Sequence, residues 1–171
     1  MPTKVMEGQV GSATWNDELI YPSVTSCLTI TCITADGAKW GAHLSMFPLQ
    51  RQTHGRGVED YNPSYKVMLS ELRSLMSTGK ALSDVRRVWV VGMLDGWTDT
   101  LRPASSDQDR MLYKSDNQPH AAQLIAERLV LHYLAVNDTH FQFRDWSRGD
   151  VKFGTGASAD AIRPWTSGGF L

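Results

Sequence analysis

The sequence predicts a single α/β domain over residues 1–171, a layered sandwich of mixed β-sheet with two main helices. Three observations predict it. A β-branched and apolar run, Leu28 to Thr34, returns through Asp36-Gly37 into Trp40 to Met46, which is a strand, a tight turn and a strand. Two apolar stripes at helical spacing occupy the middle of the chain. Strand-like segments dominate both ends, with no internal repeat, low-complexity tract or domain boundary.

Taken in order, Lys4 to Val10 reads as a first strand and Gly11 to Glu18, small and polar, as a loop. Leu19-Ile20-Tyr21 is apolar, and Pro22-Ser23 marks a turn into Val24-Thr25-Ser26-Cys27. The hairpin follows, with Gly37 supplying the positive φ of its turn and Phe47-Pro48 ending its second strand. Gln50 to Pro63, with Arg51, His54 and Arg56, is a polar connection long enough to act as a binding loop, although a plain surface connection is the commoner use. Asn62-Pro63 caps a helix whose stripe is Tyr65, Met68, Leu69, Leu72, Leu75 and Met76, and Gly79 ends it.

Val88 to Val91 is continuously apolar, a strand buried on both faces, bracketed at its end by Gly92 and Gly96. Arg86-Arg87 at its start reads as a solvated edge. Asp95 to Lys114 is a long connection with one helical turn around Asp107 to Tyr113. A second helix spans Pro119 to Val136 on the stripe Ala122, Ile125, Ala126, Leu129, Val130 and Tyr133, with His120 and His132 as surface or packing residues. Phe141 to Arg144 alternates as a strand, Ser147 to Asp150 turns, and Val151 to Phe153 returns as a closing hairpin. Ile162 to Trp165 is a last short strand, against which Pro164 counts.

A net charge of −1 argues against a nucleic-acid partner held by phosphate contacts. No apolar run has the length of a membrane span, and Met1 to Val5 lacks the apolar centre of a secretory signal. The expected location is cytoplasmic, or a host cell reached without a cleaved signal. On one strand, Cys27 and Cys32 would point to opposite faces, about 17 Å apart. A disulfide needs about 4.4–6.8 Å, so the pair stays reduced. No CxxC or HExxH spacing suggests a metal. Trp15, Trp97 and Trp165 could dock a partner, although half-buried packing is their commoner use.

The hairpin also carries the chemistry. Cys27 opens its first strand and His43 lies well along the second, so the two can be neighbours. A thiol beside an imidazole is a nucleophile beside its base. Free backbone N–H groups at the mouth of the strand could hold an oxyanion. The plainer alternative is a buried structural thiol and a packed imidazole.

The ordered set of elements resembles the bacterial chemotaxis receptor deamidases of the CheD family, which are related in fold to the catalytic domain of the cytotoxic necrotizing factors. In that family a Leu-Gly-Ser-Cys motif opens a strand, and here Val24-Thr25-Ser26-Cys27 stands at it. Gly41-Ala42-His43-Leu44-Ser45-Met46-Phe47-Pro48 is similar to the family's histidine strand. The helix ending in glycine, the buried strand ending in glycine, the second helix and the closing strands follow in the family's order, so the resemblance covers the chain from Val24 onward. Thr25 replaces the motif's glycine, and would be strained if that site needs positive φ. Gly92-Met93 replaces a Gly-Gly-Ala-like end. Tyr21 stands where the family has a catalytic threonine.

The resemblance implies a protein-glutamine deamidase with Cys27 as nucleophile and His43 as base, and no metal or organic cofactor. Tyr21 and Thr25 are candidates for the third position, as is a backbone carbonyl that orients the imidazole, as in the related toxins. The implied partner is a glutamine-bearing protein, either a chemotaxis receptor or, for an injected effector, a host protein. A cysteine peptidase and a catalytically inert binding module of the same fold are the alternatives.

Overall fold

The computed structural model describes residues 1–46, 65–101, 132–134, 136 and 140–171. Its elements are β1 (Thr3–Lys4), β2 (Val10–Ala13), β3 (Leu19–Val24), β4 (Leu28–Thr34), β5 (Lys39–Leu44), α1 (Tyr65–Thr78), β6 (Val85–Gly92), α2 (Leu94–Leu101), α3 (His132–Leu134), β7 (Phe141–Asp145), β8 (Gly149–Phe153), β9 (Pro164–Thr166) and β10 (Gly169–Phe170). Short 3-10 turns occupy Leu82–Asp84 and Ala159–Ala161.

The strands form two mixed sheets, ordered β1-β3-β8-β9-β10 and β2-β5-β4-β6-β7. The pairs β1–β3 and β6–β7 are parallel, and the rest are antiparallel. Alternate residues of a strand point to opposite faces, and both faces of β4 are covered. Leu28, Ile30 and Cys32 pack with Met68, Leu69, Leu72 and Met76 of α1. Ile33, Trp89 and Val91 pack with Leu19, Tyr21, Val151 and Phe153 of the other sheet. The architecture is therefore helices, sheet, sheet, and every residue of β4 is buried.

The hairpin, α1 from Tyr65 and the buried β6 lie where the pattern put them. Other segments differ. Lys4 to Val10 is not one strand: β1 stops at Lys4, and β2 begins at Val10 and takes residues expected in a loop. Pro22-Ser23 is a bulge inside β3 rather than a turn. The register on β8 shifts between Tyr21 and Val24, and Ser23 takes a φ of 55° with its N–H on Asp150 at 2.9 Å. Gly79 is not the left-handed residue that closes α1. Lys80 is, at a φ of 55°, and Ala81 N–H returns to the Met76 carbonyl at 2.8 Å. Gly79 is needed for space, because a Cβ there would run into the Trp40 indole.

The long connection after β6 begins with a helix, α2. The expected closing hairpin is not one: β7 joins β6 in one sheet, and β8 joins β3 and β9 in the other. Alternation shows which face a strand buries but not which strand it pairs with. Arg86 is exposed, but Arg87 is half-buried and turned to the inter-sheet side. Pro164 opens β9, a position where the ladder tolerates proline. Phe47-Pro48, the Gln50–Pro63 segment, the Asn62-Pro63 cap, the Asp107–Tyr113 turn and most of Pro119–Val136 lie outside the described residues.

Among the described residues no helix is long and apolar enough to cross a membrane. None of their His, Cys, Asp and Glu side chains cluster in a way that could hold a metal ion.

Candidate active site

β3 belongs to one sheet and β4 to the other, so Thr25-Ser26-Cys27 is the strap that crosses between them. Two contacts fix its end. The Trp97 indole N–H donates to the Ser26 carbonyl at 3.0 Å, and Met93 N–H reaches the Cys27 carbonyl at 3.4 Å. Gly92 permits this approach, since a Cβ there would collide with the Cys27 carbonyl oxygen.

Cys27 stands one residue ahead of the Leu28–Leu44 rung, and His43 pairs with Thr29. Parity therefore puts Cys27, Thr29 and His43 on one face, the face between the sheets. Cys27 and His43 are diagonal cross-strand neighbours, a relation that spans about 7–8 Å between Cα atoms and less between side-chain tips. Both are buried, with Cys27 1% exposed and His43 fully covered.

The turn between β1 and β2 grips His43. Its Nδ1 bonds the Val5 carbonyl at 3.0 Å, its N–H donates to the Gln9 carbonyl at 3.0 Å, and its carbonyl accepts from Gly8 N–H at 2.8 Å. A carbonyl only accepts, so Nδ1 carries the proton and Nε2 is the basic nitrogen. Nε2 is buried and has no hydrogen-bond partner. Burial holds the imidazole below its ordinary pKa, opposed by the Val5 carbonyl and the Glu7 carboxylate, which favour the charged ring.

Tyr21, a candidate for the third position, does not bond His43. Its ring meets the imidazole edge-on at 5.8 Å, and its hydroxyl is engaged with Thr31 Oγ1 at 2.6 Å and the Ile30 carbonyl at 3.3 Å. Gly41 makes that possible, because a Cβ there would overlap the Tyr21 hydroxyl. Thr25 is exposed and does not have positive φ, so a side chain there carries no left-handed backbone strain. Its contribution is the amide, which favours the Cys27 thiolate, as does the Ser26 hydroxyl.

These two donors are outweighed. Burial, then the Glu7 carboxylate beside the sulfur, pushes the Cys27 thiol up to about 12. The resting pair is therefore a neutral thiol and a neutral imidazole, without a preformed ion pair. Cys32 is a fully buried thiol in the helix-side core, raised by desolvation to the same range.

The structure thus brings Cys27 and His43 to one face, puts Tyr21 behind the imidazole and leaves the Thr25 side chain at the surface. Sequence reasoning missed Glu7, and it offered an orienting backbone carbonyl without placing it at Val5. Trp97, offered as a docking or half-buried residue, is fully buried and so is no docking residue. A lone glutamate in a short turn carries no spacing signal, and a carbonyl carries none at all. No protein-family model matches the chain, and no curated protein matches it.

Proposed function

We propose that the chain is a cysteine-dependent protein-glutamine deamidase. One observation supports this most: the imidazole on the Cys27 face is fixed through Nδ1–H by the Val5 carbonyl, which leaves a basic and unpartnered Nε2. Nε2 takes the Cys27 proton, and the sulfur attacks the side-chain amide carbon of a glutamine. Backbone N–H groups of the Thr25–Cys27 strap hold the oxyanion. His43 returns the proton to the departing ammonia, and water hydrolyses the thioester to leave glutamate. Because Cys27 is 1% exposed, the Glu7 turn moves aside to admit the substrate. The CheD resemblance suggests a chemotaxis receptor as target, or a host protein if the chain is an injected effector.

The test is to incubate the protein with the cytoplasmic domain of a chemotaxis receptor and with a panel of host proteins. Ammonia release and glutamine-to-glutamate mass shifts are the readouts. Conversion that disappears in a folded Cys27→Ala variant supports the proposal. Conversion that persists in that variant contradicts it.

A second function, a catalytically silent binding module, is favoured by a specific observation. Cys27 is 1% exposed, and its thiol is raised to the same range as that of the core thiol Cys32. If native Cys27 never reacts, this is the function to adopt.

A further inference from the structure

Away from Cys27, a cleft of about 370 Å³ opens where β6 and β7 of one sheet face the turn before β9 of the other. Three arginines from three different elements line it: Arg87 of β6, Arg144 of β7 and Arg163 just ahead of β9. Arg87 is committed, since its Nε and Nη2 both bond Asp160 Oδ1, at 3.1 and 2.8 Å. Arg144 and Arg163 have no carboxylate partner among the described residues. Arg144 gives one N–H to the neighbouring Phe143 carbonyl and lies over the Trp89 ring at 5.4 Å. Arg163 gives one to the Leu171 carbonyl at 2.8 Å and lies over Phe170 at 5.9 Å. Each therefore keeps most of its five donors.

Neutral donors complete the lining. Gln142 forms part of the wall. So does Trp89, which is 95% buried and whose indole N–H has no partner. Two uncompensated guanidinium groups match a charge near −2. The donor set outnumbers the two oxygens of a single carboxylate but suits the three terminal oxygens of a phosphate monoester. The cleft exceeds the size of that group alone. Beyond Arg163 it adjoins a second cavity of about 440 Å³ walled by Trp165 and Phe170, with the Lys152 ammonium over the Trp165 ring.

We propose that the cleft between Arg144 and Arg163 binds a phosphate dianion, with Gln142 as a neutral donor, the Trp89 ring as the surface under Arg144, and the aromatic cavity beside it receiving whatever carries the phosphate. The site does not depend on the deamidase proposal. It lies on the same inter-sheet face as His43, on the row His43–Thr29–Val91–Arg144. Three strand spacings, about 14 Å of backbone, separate the two.

The test is calorimetric titration of the whole chain with inorganic phosphate, O-phosphoserine and AMP, with succinate as a dicarboxylate control. Saturable binding of at least one phosphate ligand, weakened at least about tenfold in Arg144→Ala/Arg163→Ala and unchanged in Arg86→Ala, is the expected result. The tightest of the three identifies the source: the free anion, a modified side chain or a planar metabolite. In the wild-type protein, the same ligand should protect Arg144 and Arg163 from an arginine-selective dicarbonyl, as mapped by mass spectrometry. That measurement stands even if the double variant fails to fold. No saturable binding by any phosphate ligand, succinate binding as tightly as phosphate, or no protection of either arginine overturns the proposal.

Discussion

His43 and Val5 are joined by a hydrogen bond of 3.0 Å between the imidazole Nδ1 and the main-chain carbonyl. This bond fixes both the tautomer and the aim of the ring. It assigns the orienting role in the candidate site to a backbone group, which no side-chain substitution removes.

Tyr21 therefore supports the site without acting in it. Tyr21→Phe should cost about 1–2 kcal/mol of stability, since it leaves the buried Thr31 hydroxyl short of a partner. Cys27 reactivity and its dependence on His43 should remain. Urea unfolding checks the first expectation and alkylation kinetics the second. A loss of Cys27 reactivity as complete as in His43→Ala would make Tyr21 part of the machinery.

Gly41→Ala should do more harm. The added methyl takes the space of the Tyr21 hydroxyl, so the ring must move from beneath His43. Overpacking of this kind costs about 1–3 kcal/mol, and Cys27 reactivity should change with it. A variant with wild-type stability and reactivity would show that the site tolerates a displaced Tyr21.

Burial, and after it Glu7, holds the thiol in its protonated form. In Glu7→Gln the desolvation of Cys27 remains but the neighbouring charge is gone. The pH midpoint of Cys27 alkylation should move down from about 12 towards the ordinary thiol range. An unmoved midpoint would show that Glu7 does not control the sulfur.

The buried imidazole makes the fold acid-sensitive. Burial lowers the His43 pKa from its ordinary 6.5, so below that pH the unfolded chain binds a proton more readily than the folded one. Stability should fall as the pH drops through about 6.5, and His43→Gln should flatten the loss. Asp17, held low by the N-terminal ammonium, and Asp36, held low by Thr34, act in a separate window below 3.8. The difference in urea midpoints between wild type and His43→Gln, taken between about pH 8 and about pH 5, reads the His43 part. Equal slopes in the two proteins would contradict it.

Much of this architecture was legible because period and partner agree. Leu28 to Thr34 with Asp36-Gly37 specifies a hairpin, and a hairpin brings its strand ends together, so Cys27 and His43 could be read as possible neighbours from sequence, while the register that puts them on one face came from the structure. Where the partner is remote, the pattern fell short. Phe141 to Arg144 and Val151 to Phe153 read as a hairpin, yet Trp146 to Arg148 carries the chain from one sheet to the other. Pro22-Ser23 read as a turn because a bulge uses the same residue types. In the site, Cys27 and His43 carried a spacing signal. The groups that set their chemistry, the Val5 carbonyl and the Glu7 carboxylate, arrive from an unremarkable turn folded over them.

The most direct test of the nucleophile–base pair needs no substrate. Native protein is labelled with a thiol alkylator across pH, the label is located by mass spectrometry, and Cys32 serves as the buried control beside a His43→Ala variant. The pairing predicts that native Cys27 is labelled before Cys32, faster as pH rises, and more slowly at neutral pH once His43 is removed. Cys27 as silent as Cys32 until the chain is denatured, in both proteins and at every pH, would contradict the pairing and leave a binding fold without a nucleophile.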